Sequence, residues 1–164
     1  LAAARDAAGD AAGAKALARR WLAFLEREAA RAPTPLARSA FDGQRLSAAV
    51  RLGEPARALP ALLASERDLP GEYVPPTNLA VLYLKLDRPA DALAAAGRAL
   101  ERAQGPRRIR VLVLKAEAEE TLGEQEAARA SLQRALAEGQ ALPEGLRPHG
   151  QLARARSRLA ALQH

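Results

Sequence analysis

Five carboxylates crowd one stretch of this chain: Glu117, Glu119, Glu120, Glu124 and Glu126. Paired carboxylates do acid–base work when burial separates their pKa values. These five flank Leu122-Gly123, a turn signal, and Glu124 and Glu126 fall where a helix would begin and its dipole favours negative charge. The spacing therefore reads as solvated surface charge. Ser39, Ser131 and Ser157 are candidate nucleophiles, but none has a histidine at a recognisable spacing. His149, within Pro148-His149-Gly150, reads as a helix-start residue, and His149 and His164 alone leave little for a histidine metal site. Cysteine is absent, which removes thiolate nucleophiles, disulfides, iron–sulfur clusters and cysteine zinc sites. Gly9 and Gly13 stand isolated in an alanine-rich stretch and do not make a phosphate-cradling loop. The residues thus point away from catalysis: we expect no enzyme, no metal and no cofactor.

Charge is the next source of chemistry. The net charge is +6, from 25 basic and 19 acidic side chains, so a nucleic-acid partner has to be weighed. The excess is not one block. It sits toward the two ends, in short clusters: Arg19-Arg20, then Arg107, Arg108 and Arg110, then Arg154, Arg156 and Arg158. Rings that stack on bases are scarce, at 3% aromatic. Solvated arginine on helix surfaces is the favoured reading, and nucleic acid is disfavoured. No apolar run approaches the ~18 residues of a membrane span.

These side chains need elements to hold them, and the composition supplies helices. Ala and Leu dominate the apolar content, Ile occurs once (Ile109), and Arg, Glu and Gln fill the rest. These are helix formers, whereas strands want β-branched and aromatic residues. A core of Ala and Leu also implies helices that approach closely. At 164 residues the chain has the length of one domain or one short repeat array. It contains no Met and begins with Leu1, from which we expect a piece of a longer protein. Its Ala- and Arg-rich usage suggests a bacterial source.

The chain repeats itself. Segments 52–59, 86–93 and 122–129 align around Gly53, Asp87 and Gly123, at offsets of 34 and 36 residues. Leu46, Ala80 and Ala116 share one offset before the turn; Leu62, Ala96 and Leu132 share another after it, as do Ser65, Ala99 and Ala135. Gly takes the left-handed conformation that ends a helix, and Asp is a tolerated substitute. Pro55 and Pro89 then fall in the first turn of the next helix, where the missing N–H costs nothing. Ala92, Ala96 and Ala99 form one nearly bare helix face that lets a neighbour press close. Periods of this size mark helix–turn–helix units that stack.

Asn78-Leu79-Ala80, Tyr83, the turn at Asp87, Ala92 and then Ala99-Leu100 resemble the tetratricopeptide repeat. Residues 73–106 fit that pattern best. In 107–138 Glu119 stands where the aromatic belongs. In 36–67 Leu46 replaces the small residue, Ala49 replaces the aromatic, and Pro60 is expected to kink the second helix. The resemblance implies an all-α, right-handed solenoid of antiparallel helix pairs: about three repeats, a partial N-terminal repeat over 1–31 with a turn at Gly9-Asp10, and a capping helix over 148–162. In the first helix of 11–31, Ala14, Leu17, Ala18, Trp21, Leu22 and Leu25 are expected on one face, and Thr34 is expected to cap the helix starting near Leu36.

The same resemblance implies a function. The chain would be a protein–protein interaction scaffold that holds a peptide or protein partner on its concave, first-helix surface. Carried onto this sequence, that groove comprises Gly43, Gln44, Ser47 and Arg51, then Thr77, Asn78, Val81 and Lys85, then Arg110, Val113, Glu117 and Glu120. Arg110 would be the best anchor for an acidic ligand, with Arg107 and Arg108 raising the local potential. Two alternatives belong to other classes: a basic module contacting nucleic acid, and a regulatory or assembly arm of a catalytic domain elsewhere in the parent.

Overall fold

The structure, a computed structural model, describes residues 11–162; the turn expected at Gly9-Asp10 and the partial helix before it lie outside them. The described residues are helical, with no strand among them. No helix among them is long and apolar enough to cross a membrane. They divide after Pro70 into two compact units.

The first unit opens with α1 (Ala11–Arg31). Its buried stripe is Ala14, Ala18, Leu22, Leu25 and Ala29, the 3.6-residue period of one helix face. Trp21 departs from the expected face: it is 45% exposed, and its ring stacks on Phe24 at 5.2 Å. The chain then breaks at Pro33. Thr34 Oγ1 accepts from the Ala37 backbone N–H at 3.1 Å and caps the short α2 (Pro35–Ser39). The helix does not run on from there. It restarts as α3 (Asp42–Leu52), which packs on α1. After Gly53 the chain makes a 3-10 turn (Pro55–Ala58) against α3, and only then α4 (Leu59–Asp68), which packs on α2. The expected kink at Pro60 is thus placed differently. Pro60 sits in the first turn of α4, where a proline breaks no helical bond, and the bend falls on the 3-10 turn before it.

The second unit holds α5 (Val74–Lys85), α6 (Pro89–Arg102), α7 (Pro106–Thr121), α8 (Gln125–Gln140) and α9 (His149–Ala161). Each helix packs on the next as far as α8 with α9, and α7 also touches α5 and α9. The core is made of Ile109, Leu112, Val113 and Ala116 from α7, Ala128, Leu132 and Ala135 from α8, and Leu152 and Ala155 from α9. Ala92, Ala95, Ala96 and Ala99 are fully buried on α6. With no side chain beyond Cβ, they bring the helices close enough that a larger residue has nowhere to go.

Three turns share one geometry. Gly53, Asp87 and Gly123 have φ of 78°, 55° and 79°. In each, the turn residue donates its N–H to the carbonyl three before it: Val50, Leu84 and Glu120. The next residue donates to the carbonyl five before it: Glu54 to Ala49, Arg88 to Tyr83 and Glu124 to Glu119. This is the Schellman pair of bonds, which satisfies carbonyls orphaned at a helix end. Asp87 is the only non-glycine among the described residues with positive φ.

Candidate binding surface

The expected first-helix residues are spread over both units. In the first, Gln44, Ser47 and Arg51 lie exposed on α3, as does Gly43. The Ser47 hydroxyl donates to the Gly43 carbonyl at 2.9 Å, so its proton is spent within the helix.

In the second unit the expected set separates into exposed and buried members. Lys85 and Arg110 are exposed, and Val81 is half-buried. Thr77 is buried, with its hydroxyl donating to the Tyr73 carbonyl at 2.7 Å. Asn78 is also buried, at 8% exposure. Val113 is a core residue at 1% exposure. Val113 and Thr77 therefore cannot meet a partner. For Val113 the reason is register: α7 is sandwiched by α6 and α8 and also touched by α5 and α9, so it exposes a narrow stripe; Thr77 lies on α5, in a run that is buried from Pro75 to Ala80.

Glu117 is occupied from inside the protein. Arg154 of α9 donates to it at 2.5 Å, and Arg158 approaches it at 3.4 Å. Arg158 also donates to both oxygens of Glu120, at 3.0 and 2.7 Å. Burial by itself would lower the Arg158 pKa, but the Glu120 hydrogen bond and the charges of Glu117 and Glu120 outweigh it and raise it. The last helix is thus clamped onto α7 by two arginines, with Leu152 and Ala155 buried beneath. Two members of the carboxylate cluster and two of the basic tail cancel one another.

Glu119 overturns the expectation of a solvated cluster more fully. It is 2% exposed and receives the Lys115 ammonium, which also donates to Ser131 Oγ at 3.1 Å. Its other oxygen, Oε2, is buried without a hydrogen-bond partner. A lysine beside a serine invites comparison with a nucleophile and its base. An ammonium donating to a carboxylate and a hydroxyl has no lone pair for the serine proton, and Ser131 is itself 6% exposed. The trio joins α7 to α8 in place of the expected aromatic.

The cluster at 107–110 is divided too. The Arg107 guanidinium lies 5.3 Å from the centre of the Tyr73 ring. Arg108 donates to Glu138 at 2.9 Å and to the Leu100 carbonyl at 3.0 Å. That hydrogen bond, more than the opposing burial, holds the Glu138 carboxyl below its usual range. Arg108 is therefore a strut between α7 and the elements beside it, not a source of free potential for a ligand. Tyr83 is half-buried, with the Arg88 guanidinium 4.8 Å over its ring.

No group of His, Cys, Asp or Glu that could hold a metal occurs among the described residues. The long-range pairs, Arg158 with Glu120 and Arg108 with Glu138, were not foreseen. Their spacings of 38 and 30 residues match neither the 34- nor the 36-residue offset of the repeats, so the sequence carries no signal of them. Compared with protein-family models, with curated proteins and with solved structures, the chain has no match.

Proposed function

We propose that this chain is a helical-repeat scaffold of the tetratricopeptide type, and that it holds a peptide or protein partner on its first-helix surface. The observation that carries this reading is the threefold recurrence of one turn, at Gly53, Asp87 and Gly123, with the same pair of backbone bonds and a period of 34 to 36 residues. Recurring units of this kind leave open faces on which extended partners lie. The reading gives the chain no catalytic role. In the second unit the contact residues are Lys85 and Arg110, which are cationic and exposed, with Val81 offering apolar surface between polar neighbours. Gln44 and Arg51 are the corresponding exposed residues of α3. Thr77, Asn78, Val113 and Glu117 act instead from within, keeping the helices in place.

A pull-down from cells of the source organism tests this. The parent chain is compared with a Lys85→Ala, Arg110→Ala double variant and with Gln133→Ala on the exposed side of α8. The double variant is expected to lose partners that Gln133→Ala retains, with helicity intact by circular dichroism. Equal recovery by all three would remove the binding site from this surface.

A further inference from the structure

The first unit contains an open cleft of about 400 Å³ whose lining includes Ala29 and Ala30 of α1, Arg38 of α2, Arg45 of α3 and Ala61 of α4. Arg67 and Asp68 at the end of α4 complete its charged rim. Three arginines therefore line one space with alanine walls. Each carries five N–H donors, and among the described residues each has one donor engaged. Arg38 Nη2 bonds Asp68 at 2.7 Å, Arg67 Nε bonds Asp68 at 2.9 Å, and Arg45 Nη1 reaches Asp42 Oδ1 only at 3.4 Å.

Arg45 is the informative member. Its side chain is 18% exposed, and it lines the open cleft. Its single bond is long, and it reaches only one of the two Asp42 oxygens. A guanidinium this poorly paired, on the lining of an open cleft, keeps donors for an anion that enters it. The resident carboxylates are committed elsewhere. Glu26 is held by Arg57 at 3.1 and 3.0 Å, and Asp68 already bridges two arginines.

We propose that this cleft binds a carboxylate carried on a short aliphatic stem, as in a glutamate side chain of a partner. The carboxylate takes the free donors of Arg45 and Arg38 as a planar fork, and the stem lies along Ala61 and Ala64. A single negative charge suits the site better than a phosphate dianion, because Glu26 and Asp68 line the same cleft and repel the second charge. At about 400 Å³ the cleft is several times larger than one side chain, so it also has room for neighbouring residues of the partner. This extends the peptide-binding reading and rests on it only for the source of the carboxylate.

The test uses a small probe and no partner, so its failure is separate from that of the pull-down. N-acetyl-glutamate N-methylamide is titrated into the full chain at low salt, and backbone amide shifts of Arg45, Ala61 and Ala64 are followed by NMR. Saturating shifts are expected, with the isosteric glutamine compound and inorganic phosphate binding about tenfold more weakly or worse. Arg45→Met keeps the stem volume and should weaken the glutamate probe by about ten- to a hundredfold. Ala64→Glu places a carboxylate in the cleft from the protein itself, and should abolish probe binding while raising the unfolding temperature. Equal binding of the glutamine compound or of phosphate would overturn the proposal. So would full probe binding by a folded Ala64→Glu chain.

Discussion

Gly139 decides whether α9 fits against α8. It lies buried in α8, with ordinary helical backbone, and a Cβ built there would overlap Leu152 Cδ2 and stand 3.2 Å from Leu152 Cγ. Two effects oppose each other in Gly139→Ala. Alanine is the better helix former by roughly 0.5–1 kcal/mol. The methyl must also displace Leu152, which is 3% exposed and packed in the same core as Leu132 and Ala155. Overpacking of this kind costs roughly 1–3 kcal/mol. Leu152 can yield only by taking another rotamer inside a filled core, so the clash is expected to outweigh the gain in propensity, with a net loss of about 1–2 kcal/mol, or about 3–6 °C in Tm for a chain this long. A double-mutant cycle isolates the contact. Leu152→Ala alone should cost about 2–5 kcal/mol through the cavity it leaves. Adding Gly139→Ala should then recover stability, because the methyl enters that space and helix propensity is gained. The coupling should exceed about 1 kcal/mol, measured by urea unfolding with circular dichroism. Additive losses, or a Gly139→Ala chain as stable as the parent, would show that α9 does not sit on Gly139 as described.

Ala92→Leu should cost about 1–3 kcal/mol, because Ala92 is fully buried on the close-packed face of α6; a chain melting like the parent would contradict the small-residue face. Gly123→Ala should destabilise by about 1 kcal/mol from backbone strain alone, since φ is 79° and the space around it is open; unchanged urea midpoints would refute it. Burial raises the Asp42 carboxyl above 3.8, against the lowering effects of Ser65 and Arg45. Such a group costs no stability below its unfolded value and costs progressively more as pH rises through the raised one. Asp42→Asn should therefore gain on the parent as pH rises from about 3.8 through the raised value, and a difference in Tm that is flat or falls as pH rises from there would reverse the assignment.

The turns were legible because backbone sterics is local. A left-handed residue after a helix wants Gly or Asp, the next helix tolerates Pro in its first turn, and both signals stand within four residues at Gly53-Pro55 and Asp87-Pro89. The small face of α6 was legible for a related reason: alanine at spacings of four and three leaves one helix face without bulk. Side-chain fates were harder to read, since they depend on how many neighbours a helix has. Nothing local distinguishes Val113 in the core from Val81 at the half-exposed edge, or Glu119 beneath Lys115 from Glu124 in solvent. Trp21 shows the same limit, because hydrophobic periodicity placed it inward, whereas the alanine stripe beside it took the buried face and left the ring outside on Phe24. The sequence by itself determined the helical class and the geometry of the three turns, each a property of a few bonded residues, but not the breaks at Ala40 and Ala58 within the first unit. The tertiary structure alone decided which charges cancel, as Arg154 and Arg158 do with Glu117 and Glu120. It alone left Arg45 poorly paired beside an open cleft, because burial and long-range pairing exist only once separate helices meet.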